Sequence, residues 1–160
     1  MIWVTPPCRW SRTSRTYPAH PIPGVAGLII LRNNILLSVR GNPPSKGMWG
    51  LPGGVVELGE TVEEALVREV QEETGVVVRP LRQVAVLDSI NRDDDGRVKY
   101  HYILFEFLCE YVSGEVKPSS DALDARWVPL DDLGSIDIMP TTRRFISKIL
   151  VQENISLPRV

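Results

Sequence analysis

The sequence predicts an α/β protein of the α+β type, with a mixed sheet packed between helices. Short apolar runs rich in β-branched residues alternate with polar turns along most of the chain, which is typical of strands. Two segments, at 62–73 and 141–151, instead repeat apolar residues with helical spacing. Because strands separate the two helices, we expect one helix on each side of the sheet.

Composition and charge narrow the classes to which the chain can belong. Its 160 residues suffice for one domain with a core and are too few for two domains of typical size. The net charge of −2 gives no basic field for a nucleic-acid partner, and no apolar run is long enough to span a bilayer. Cys8 and Cys109 lie far apart without metal-ligand spacing, which favours a reducing, cytoplasmic location.

The N-terminal segment differs from the remainder of the sequence. Residues 1–20 show neither a helical nor a strand period, and three prolines interrupt them. A targeting leader would also be rich in Arg and Ser and poor in acids, but it would have an amphipathic face. We therefore predict a flexible extension over 1–20, a domain over 21–152 and a tail over 153–160.

The first predicted elements are a hairpin and a glycine-rich turn. Apolar runs at 24–31 and 35–39 predict two strands, joined by an Asn-Asn turn at 33–34 because asparagine tolerates positive φ. A loop is expected over 41–50. The Leu-Pro-Gly-Gly segment at 51–54 then leads toward the first helix.

The first helix is expected over 62–73 and has recognisable ends. Thr61 and Glu64 have the spacing of a capping box, and Gly75 is the residue type that helix C-termini favour. Further strands are predicted over 76–87, with a break near Pro80, over 98–112 and over 125–128, and a second helix over 141–151 after Pro140.

The first helix carries acids where its apolar stripe should continue. The stripe begins with apolar residues over 62–66 and continues with Glu69 and Glu73, while Glu72 lies one turn after Glu69. Like charges at this spacing destabilise a helix, and burial adds to the cost. A divalent cation reverses the balance, because Mg²⁺ and Mn²⁺ bind hard oxygen ligands. The pattern therefore favours a metal site over a solvated acidic face.

Residues 54–76, GVVELGETVEEALVREVQEETGV, resemble a complete Nudix box. The resemblance extends to Pro21 and Ile22, to Trp49 with the segment at 51–54, and to Trp-Val-Pro-Leu at 127–130. It covers about residues 17–150 and implies a Nudix-like α/β/α sandwich. The fixed positions of the box are filled by Gly54, Glu60, Arg68, Glu69, Glu72, Glu73 and Gly75.

The resemblance implies hydrolysis of a nucleoside diphosphate linked to a further moiety, by attack of water at phosphorus. Cations bridge the oxygens of such a diphosphate and lower the pKa of a bound water. The ligands of Mg²⁺ or Mn²⁺ that we expect are Glu69, Glu72, Glu73, the weaker candidate Glu57, and a main-chain carbonyl of Gly53 or Gly54.

Two further residues of the box are expected to position others. Arg68 has acids four residues away on both sides, Glu64 and Glu72, so we count it with the catalytic group as the residue that orients the glutamates. Glu60 is expected to anchor the loop to the helix rather than to bind a metal.

The general base is left open. Glu69 or Glu72 can serve, and so can a carboxylate from a distant loop. Asp121 and Asp124 stand six and three residues before Trp127, where the resembled family often places an acid. Two exposed loop aspartates are an equally good interpretation of that pair.

Substrate contacts are expected from Arg40 and from an aromatic strand. Arg40 ends a strand directed toward the box and suits phosphate, while Tyr100 or Tyr102 can stack on a base. The alternative for the tyrosines is an ordinary place in the core, since alternate residues of a strand share a face. His101 points the other way and is expected to be inert.

ADP-ribose is the favoured substrate, because YPAHPIPG, HYILFEFL and DARWVPLDDL are similar to small bacterial proteins assigned to ADP-ribose cleavage. The usual subclass marks of the family are missing, so ordinary or oxidised (d)NTPs remain alternatives. A non-catalytic nucleotide-sensing domain is a third hypothesis, although such domains usually have a degraded box. The expected partner is a small-molecule nucleotide, not nucleic acid or a membrane, and a homodimer is left open.

Overall fold

A computed structural model of the protein describes residues 14–118 and 122–153. The predicted C-terminal tail beyond residue 153 lies outside the described part. The elements in chain order are β1 Ile22–Leu31, β2 Asn34–Arg40, β3 Trp49–Gly50, β4 Gly53–Val55, α1 Val62–Thr74, β5 Val77–Arg92, β6 Val98–Ser113, β7 Ala122–Pro129, a 3₁₀ helix Leu130–Ser135 and α2 Pro140–Gln152.

The strands form one mixed sheet in which β1 has two different neighbours on the same edge. The main path runs β3-β2-β1-β6-β5, and only β1 and β6 are paired in parallel among these strands. β1 pairs with β2 next to their turn, at Ile30 and Leu31, and with β4 further back, at Val25 and Ala26. β1 and β2 therefore diverge, and the short glycine-containing β4 takes the place that β2 leaves.

Each face of the sheet is covered by one helix, which confirms the predicted sandwich. On one face, Leu66 and Val70 of α1 pack with buried residues of β1 and β6 such as Ile29 and Phe107. On the other face α2 supplies Phe145, Ile146, Ile149 and Leu150, which pack against Leu28, Leu37, Leu51 and Val128.

The ends of α1 follow the predicted capping. The Thr61 hydroxyl accepts a hydrogen bond from the Glu64 N–H at 3.2 Å, and the Glu64 carboxylate accepts from the Thr61 N–H at 2.8 Å. Gly75 ends the helix at φ 75°, and its N–H donates to the Gln71 carbonyl at 2.8 Å. These contacts fix where the carboxylates of α1 lie along the chain.

The hairpin turn is shifted by one residue from its predicted position. Leu31 pairs with Asn34, so the two residues with positive φ are Arg32 and Asn33. Asn34 already belongs to β2, and its side-chain amide donates to the Arg32 carbonyl at 2.8 Å. The predicted loop at 41–50 also ends in a short strand, β3, which pairs with β2.

The described part of the N-terminal segment is held on the domain. The Tyr17 N–H donates to the Lys99 carbonyl, and its hydroxyl donates to the Asp93 carboxylate, both at 2.8 Å. Arg97 stacks on the Tyr17 ring at 5.0 Å. The segment is therefore anchored at the β5–β6 turn, while residues 1–13 lie outside the described part. Within the described ranges, no helix is long and apolar enough to cross a membrane.

Candidate active site

The three glutamates at the end of α1 differ in their exposure to solvent. The Glu69 side chain is 17% exposed and that of Glu72 is 61% exposed. Glu73 is partly buried and faces the sheet. The apolar stripe thus does continue through Glu69 and Glu73, as the sequence predicts, and Glu72 lies at its margin.

Glu73 connects the two strands that diverge around β4. Its Oε2 accepts a hydrogen bond from the Ser38 hydroxyl of β2 and another from the Gly53 N–H of β4, both at 3.1 Å. Burial raises the pKa of Glu73 to about 7, although these two donors act to lower it. The carboxylate therefore closes the gap between β2 and β4 from the α1 side.

Glu69 lies against the main chain of Gly54. A Cβ atom added to Gly54 would collide with the Glu69 carboxylate, so the position admits only glycine while that carboxylate stays in place. Burial raises the pKa of Glu69, and the neighbouring Arg68 opposes the shift.

Arg68 gathers the carboxylates around it. Its Nε and Nη2 donate to the two oxygens of Glu60 at 2.6 and 2.9 Å, and its Nη1 donates to Glu69 at 2.9 Å and to Glu72 at 3.2 Å. Its Nη2 also donates to the Val55 carbonyl. These contacts fit the orienting role proposed for Arg68 and the anchoring role proposed for Glu60. The paired guanidinium holds the Glu60 pKa at about 2.

The prediction that Glu64 is a partner of Arg68 is wrong. Glu64 was expected to flank Arg68 one turn away, but its carboxylate bonds to the Thr61 N–H and hydroxyl instead. The capping box takes Glu64 because the first turn of a helix has free N–H groups that need acceptors.

The donor chemistry of the cluster fits a hard divalent cation. Arg68 Nη1 donates to both Glu69 and Glu72, so one cationic group already lies within hydrogen-bonding distance of the two carboxylates. The space beside Gly54, which a Cβ would fill, holds one of these carboxylates. In residues 14–118 and 122–153, however, no three His, Cys, Asp or Glu side chains converge on one point. Binding a cation would therefore draw Glu69 and Glu72 away from Arg68.

Two other predicted site residues, Glu57 and Arg40, differ in their burial and in their contacts with the cluster. Glu57 is exposed, and its main-chain N–H rather than its carboxylate contacts the box, donating to Glu60 at 3.0 Å. Arg40 is half-buried, and its Nε has no hydrogen-bond partner among the described residues. While burial raises the pKa of Glu73, the positive charge of Arg40 acts to lower it, so the guanidinium lies near the cluster.

The predicted aromatic contacts lie in the core. Tyr100 and Tyr102 are 9% and 8% exposed and pack with Ile22 in a small apolar cluster. This is the alternative interpretation given by strand alternation, and it leaves the rings almost no surface on which a base can stack. His101 lies between them on the other face of β6.

Asp124, one of the two candidate aspartates, is not brought to the glutamates. Asp121 lies outside the described residues. Asp124 is paired in register with Val39, whereas Ser38 is paired with Ala125, so Asp124 points to the face opposite that of Ser38. Its carboxylate accepts from Arg126 at 2.9 Å.

Sequence reasoning missed Glu106 on β6. It is 6% exposed, its Oε2 has no hydrogen-bond partner in the described part of the chain, and burial raises its pKa to about 7. A signal was present, because Glu106 is the single acid inside the apolar run HYILFEFL. Its neighbours across the sheet, however, depend on strand register, which the sequence does not state.

The chain is similar to known proteins over most of its length. Residues 21–149 match the family model of the NUDIX domain. An ADP-ribose pyrophosphatase of Methanocaldococcus jannaschii is 44% identical over 114 residues, which are 71% of this chain and 65% of that protein. An NAD-capped RNA hydrolase of Stutzerimonas stutzeri is 28% identical over 82% of this chain and 45% of its own length. The crystal structure of a MutT NUDIX hydrolase from Burkholderia pseudomallei superposes with a TM-score of 0.70, at 31% identity, over 81% of this chain and 98% of that one.

Proposed function

The chain belongs to the NUDIX domain family, and from that membership we propose that it hydrolyses the diphosphate linkage of a nucleoside diphosphate joined to a second moiety. ADP-ribose is the favoured substrate, because the relative that shares 44% identity is named an ADP-ribose pyrophosphatase. The observation that carries the proposed reaction is the cluster in which Arg68 gathers Glu69 and Glu72 beside Gly54.

Glu69, Glu72 and Glu73 would hold a divalent cation, Mg²⁺ or Mn²⁺, with the main chain at Gly54 beside them. Such an ion, when bound, supplies a Lewis acid for the diphosphate oxygens and lowers the pKa of water. Glu73 is held in place from two sides by Ser38 and Gly53, so it enters the site already positioned.

Glu72 is the best-placed proton acceptor among the described carboxylates. It is the most exposed of the three glutamates, and Arg68 is the one side chain that restrains it among the described residues. A general base must reach the water whose proton it takes, and an exposed side chain can do so. Asp121, outside the described residues, remains the alternative base.

Arg40 would bind phosphate. Its guanidinium is near Glu73, and its Nε, which has no partner in the part of the chain that the structure describes, leaves a donor for an oxygen of the substrate. A phosphate there would lie between Arg40 and the α1 carboxylates, which is the position that hydrolysis of the linkage requires.

The test is a substrate panel of ADP-ribose, NADH, dGTP and 8-oxo-dGTP with Mg²⁺ or Mn²⁺ and identification of the products. We expect AMP and ribose 5-phosphate from ADP-ribose. Glu72→Gln should lower kcat by at least about 100-fold at saturating cation, whereas the matched control Glu63→Gln, exposed on the first turn of the same helix, should not. If dGTP or 8-oxo-dGTP were hydrolysed in preference, that nucleotide would take the place of ADP-ribose as the proposed substrate. Binding without turnover of any compound would instead indicate a sensing domain.

A further inference from the structure

A row of small residues crosses the sheet with one carboxyl group in its middle. Ala26 of β1 is in register with Gly53 of β4 on one side and with Glu106 of β6 on the other, and Glu106 is in register with Ala85 of β5. Registered residues present their side chains on the same face. The only long side chain in this row is therefore that of Glu106.

This row lies on the α2 side of the sheet and is partly open to solvent. Ala26 and Ala85 both pack at the edge of the apolar cluster that α2 covers, and each is only partly buried. Because alanine side chains are short, we infer that the sheet carries a shallow trough above these two residues. Leu104 and Leu108, two residues before and after Glu106 on the same face, border it.

The carboxyl group on the floor of this trough is unpaired. Glu106 is 6% exposed, and among residues 14–118 and 122–153 its Oε2 has no hydrogen-bond partner. Its raised pKa comes from burial, with no contribution from a charged group in that part of the chain. A buried polar atom without a hydrogen bond is destabilising. None of the functions described above uses this group, so its presence points to a partner that arrives with a ligand.

One end of the row reaches the gap between β2 and β4 at which the Glu73 carboxylate is bound. Gly53, at one end of the row, donates its N–H to Glu73. Two strand spacings separate Gly53 from Glu106, on the order of 10 Å. That separation suits the ribose and base of a nucleotide whose phosphates lie at the α1 carboxylates.

The chemistry of the trough favours a nucleobase over a sugar. Its walls are apolar and it offers one polar group, which is how sites for flat, largely apolar ligands are built. Because burial raises the Glu106 pKa to about 7, the carboxyl group is protonated in a large fraction of the molecules near neutral pH. A neutral carboxyl has one donor and one acceptor side by side, which match N1 and the 6-amino group of adenine. An ionised carboxylate has acceptors only, which match the N1–H and 2-amino group of guanine.

We propose that Glu106 recognises the base of the substrate, with the neutral carboxyl bound to the N1 and 6-amino edge of an adenine ring that lies over Ala26 and Ala85. This inference deepens the proposed function, on which it rests for the phosphates' position, and assigns Glu106 as the residue that determines base specificity. No covalent step is involved, and the contact does not touch the reacting phosphorus.

The experiment measures binding of AMP, GMP and ribose 5-phosphate by calorimetry, so that no turnover is needed. The variants are Glu106→Gln, whose amide keeps one donor and one acceptor, and Glu106→Leu, which has neither. The matched control is Glu110→Gln, an exposed position four residues along the same strand. We expect Glu106→Leu to weaken AMP binding by about tenfold or more, Glu106→Gln to change it less than about threefold, and ribose 5-phosphate binding to stay constant in every variant.

Three results would overturn the inference. One is AMP binding that is equal in the parent and in Glu106→Leu. Another is an equal loss for ribose 5-phosphate, which would place the effect on the sugar, the phosphate or the fold. The third is a parent preference for GMP that Glu106→Gln abolishes, which would mean an ionised carboxylate and a guanine. Because the probes are not hydrolysed, AMP discrimination can hold even if ADP-ribose is not cleaved, so the two proposals fail separately.

Discussion

At the scale of single residues, the site depends on the absence of a side chain at position 54. The Glu69 carboxylate occupies the place that a Cβ of residue 54 would take. Glycine is thus required for close approach of a side chain, and its φ lies outside the left-handed region here. The position of one proposed metal ligand is therefore set by a neighbour that has no functional group of its own.

Gly54→Ala is expected to lower kcat/KM by about 100-fold or more on the best substrate of the panel, because even a displacement of about 1 Å of a catalytic group is costly. Steady-state kinetics at saturating cation measures it. The matched control is Gly134→Ala, since no atom lies within 4 Å of a Cβ built there. Equal rates in the two variants would show that Glu69 can move without loss.

At the scale of elements, α1 combines a well-capped helix with an unfavourable cluster of acids. Its capping box, its C-terminal glycine and the Glu60–Arg68 pair stabilise it. Glu69 and Glu73 oppose this stabilisation, because burial raises the pKa of both carboxyl groups. A bound cation would remove much of that cost.

The cation response should be confined to this helix. In the parent, Mg²⁺ or Mn²⁺ at a hundredfold excess over Kd is expected to stabilise the fold by about 2.7 kcal/mol. Replacing Glu69, Glu72 and Glu73 together by glutamine should leave the cation-free melting temperature unchanged or higher and abolish this response. Calorimetric melting with monovalent salt at equal ionic strength is the control. An undiminished response in the triple variant would place the cation elsewhere.

The elements also show what the sequence could predict. The limits of α1 follow from Thr61, Glu64 and Gly75, which act on their own backbone neighbourhood, so local rules were sufficient. The strands β3 and β4 have two and three residues and exist because β2 and β1 pair with them. Such short strands carry no period of their own. The place of Glu69 and Glu73 on the buried stripe of α1 follows from the same local spacing, whereas the row through Glu106 depends on register.

At the scale of the whole molecule, stability depends on pH through buried acids. Burial raises the pKa of Glu106 from 4.5 to about 7. Between these values the folded protein binds a proton that the unfolded chain has lost, so the free energy of unfolding falls as pH rises through this window. Glu69 and Glu73 act in the same direction.

Glu106→Leu isolates one of these contributions. The free energy of unfolding of the variant minus that of the parent should increase from pH 4.5 to pH 7, by an amount on the order of 3 kcal/mol, and then level off. The other buried acids are shared, so their effects cancel in this difference. Urea unfolding at several pH values measures it, with Glu110→Leu as the exposed control. Parallel pH profiles for parent and Glu106→Leu would contradict the burial of an ionisable group at this position.

Glu73 accepts hydrogen bonds from two diverging strands, and this affects which residues of the site can change during evolution. In a lineage that has lost the proposed hydrolysis, replacement of the exposed Glu72 is expected to destabilise the fold little, because a surface ion pair such as Arg68–Glu72 contributes little stability. Such a lineage cannot lose Glu73 so freely, because the Ser38 hydroxyl and the Gly53 N–H would then lack their acceptor. Inactive descendants of this chain should therefore drift first at position 72 and retain an acceptor at position 73. An acceptor retained at position 73 alone therefore indicates common descent. A glutamate retained at position 72 is the better indicator of present activity.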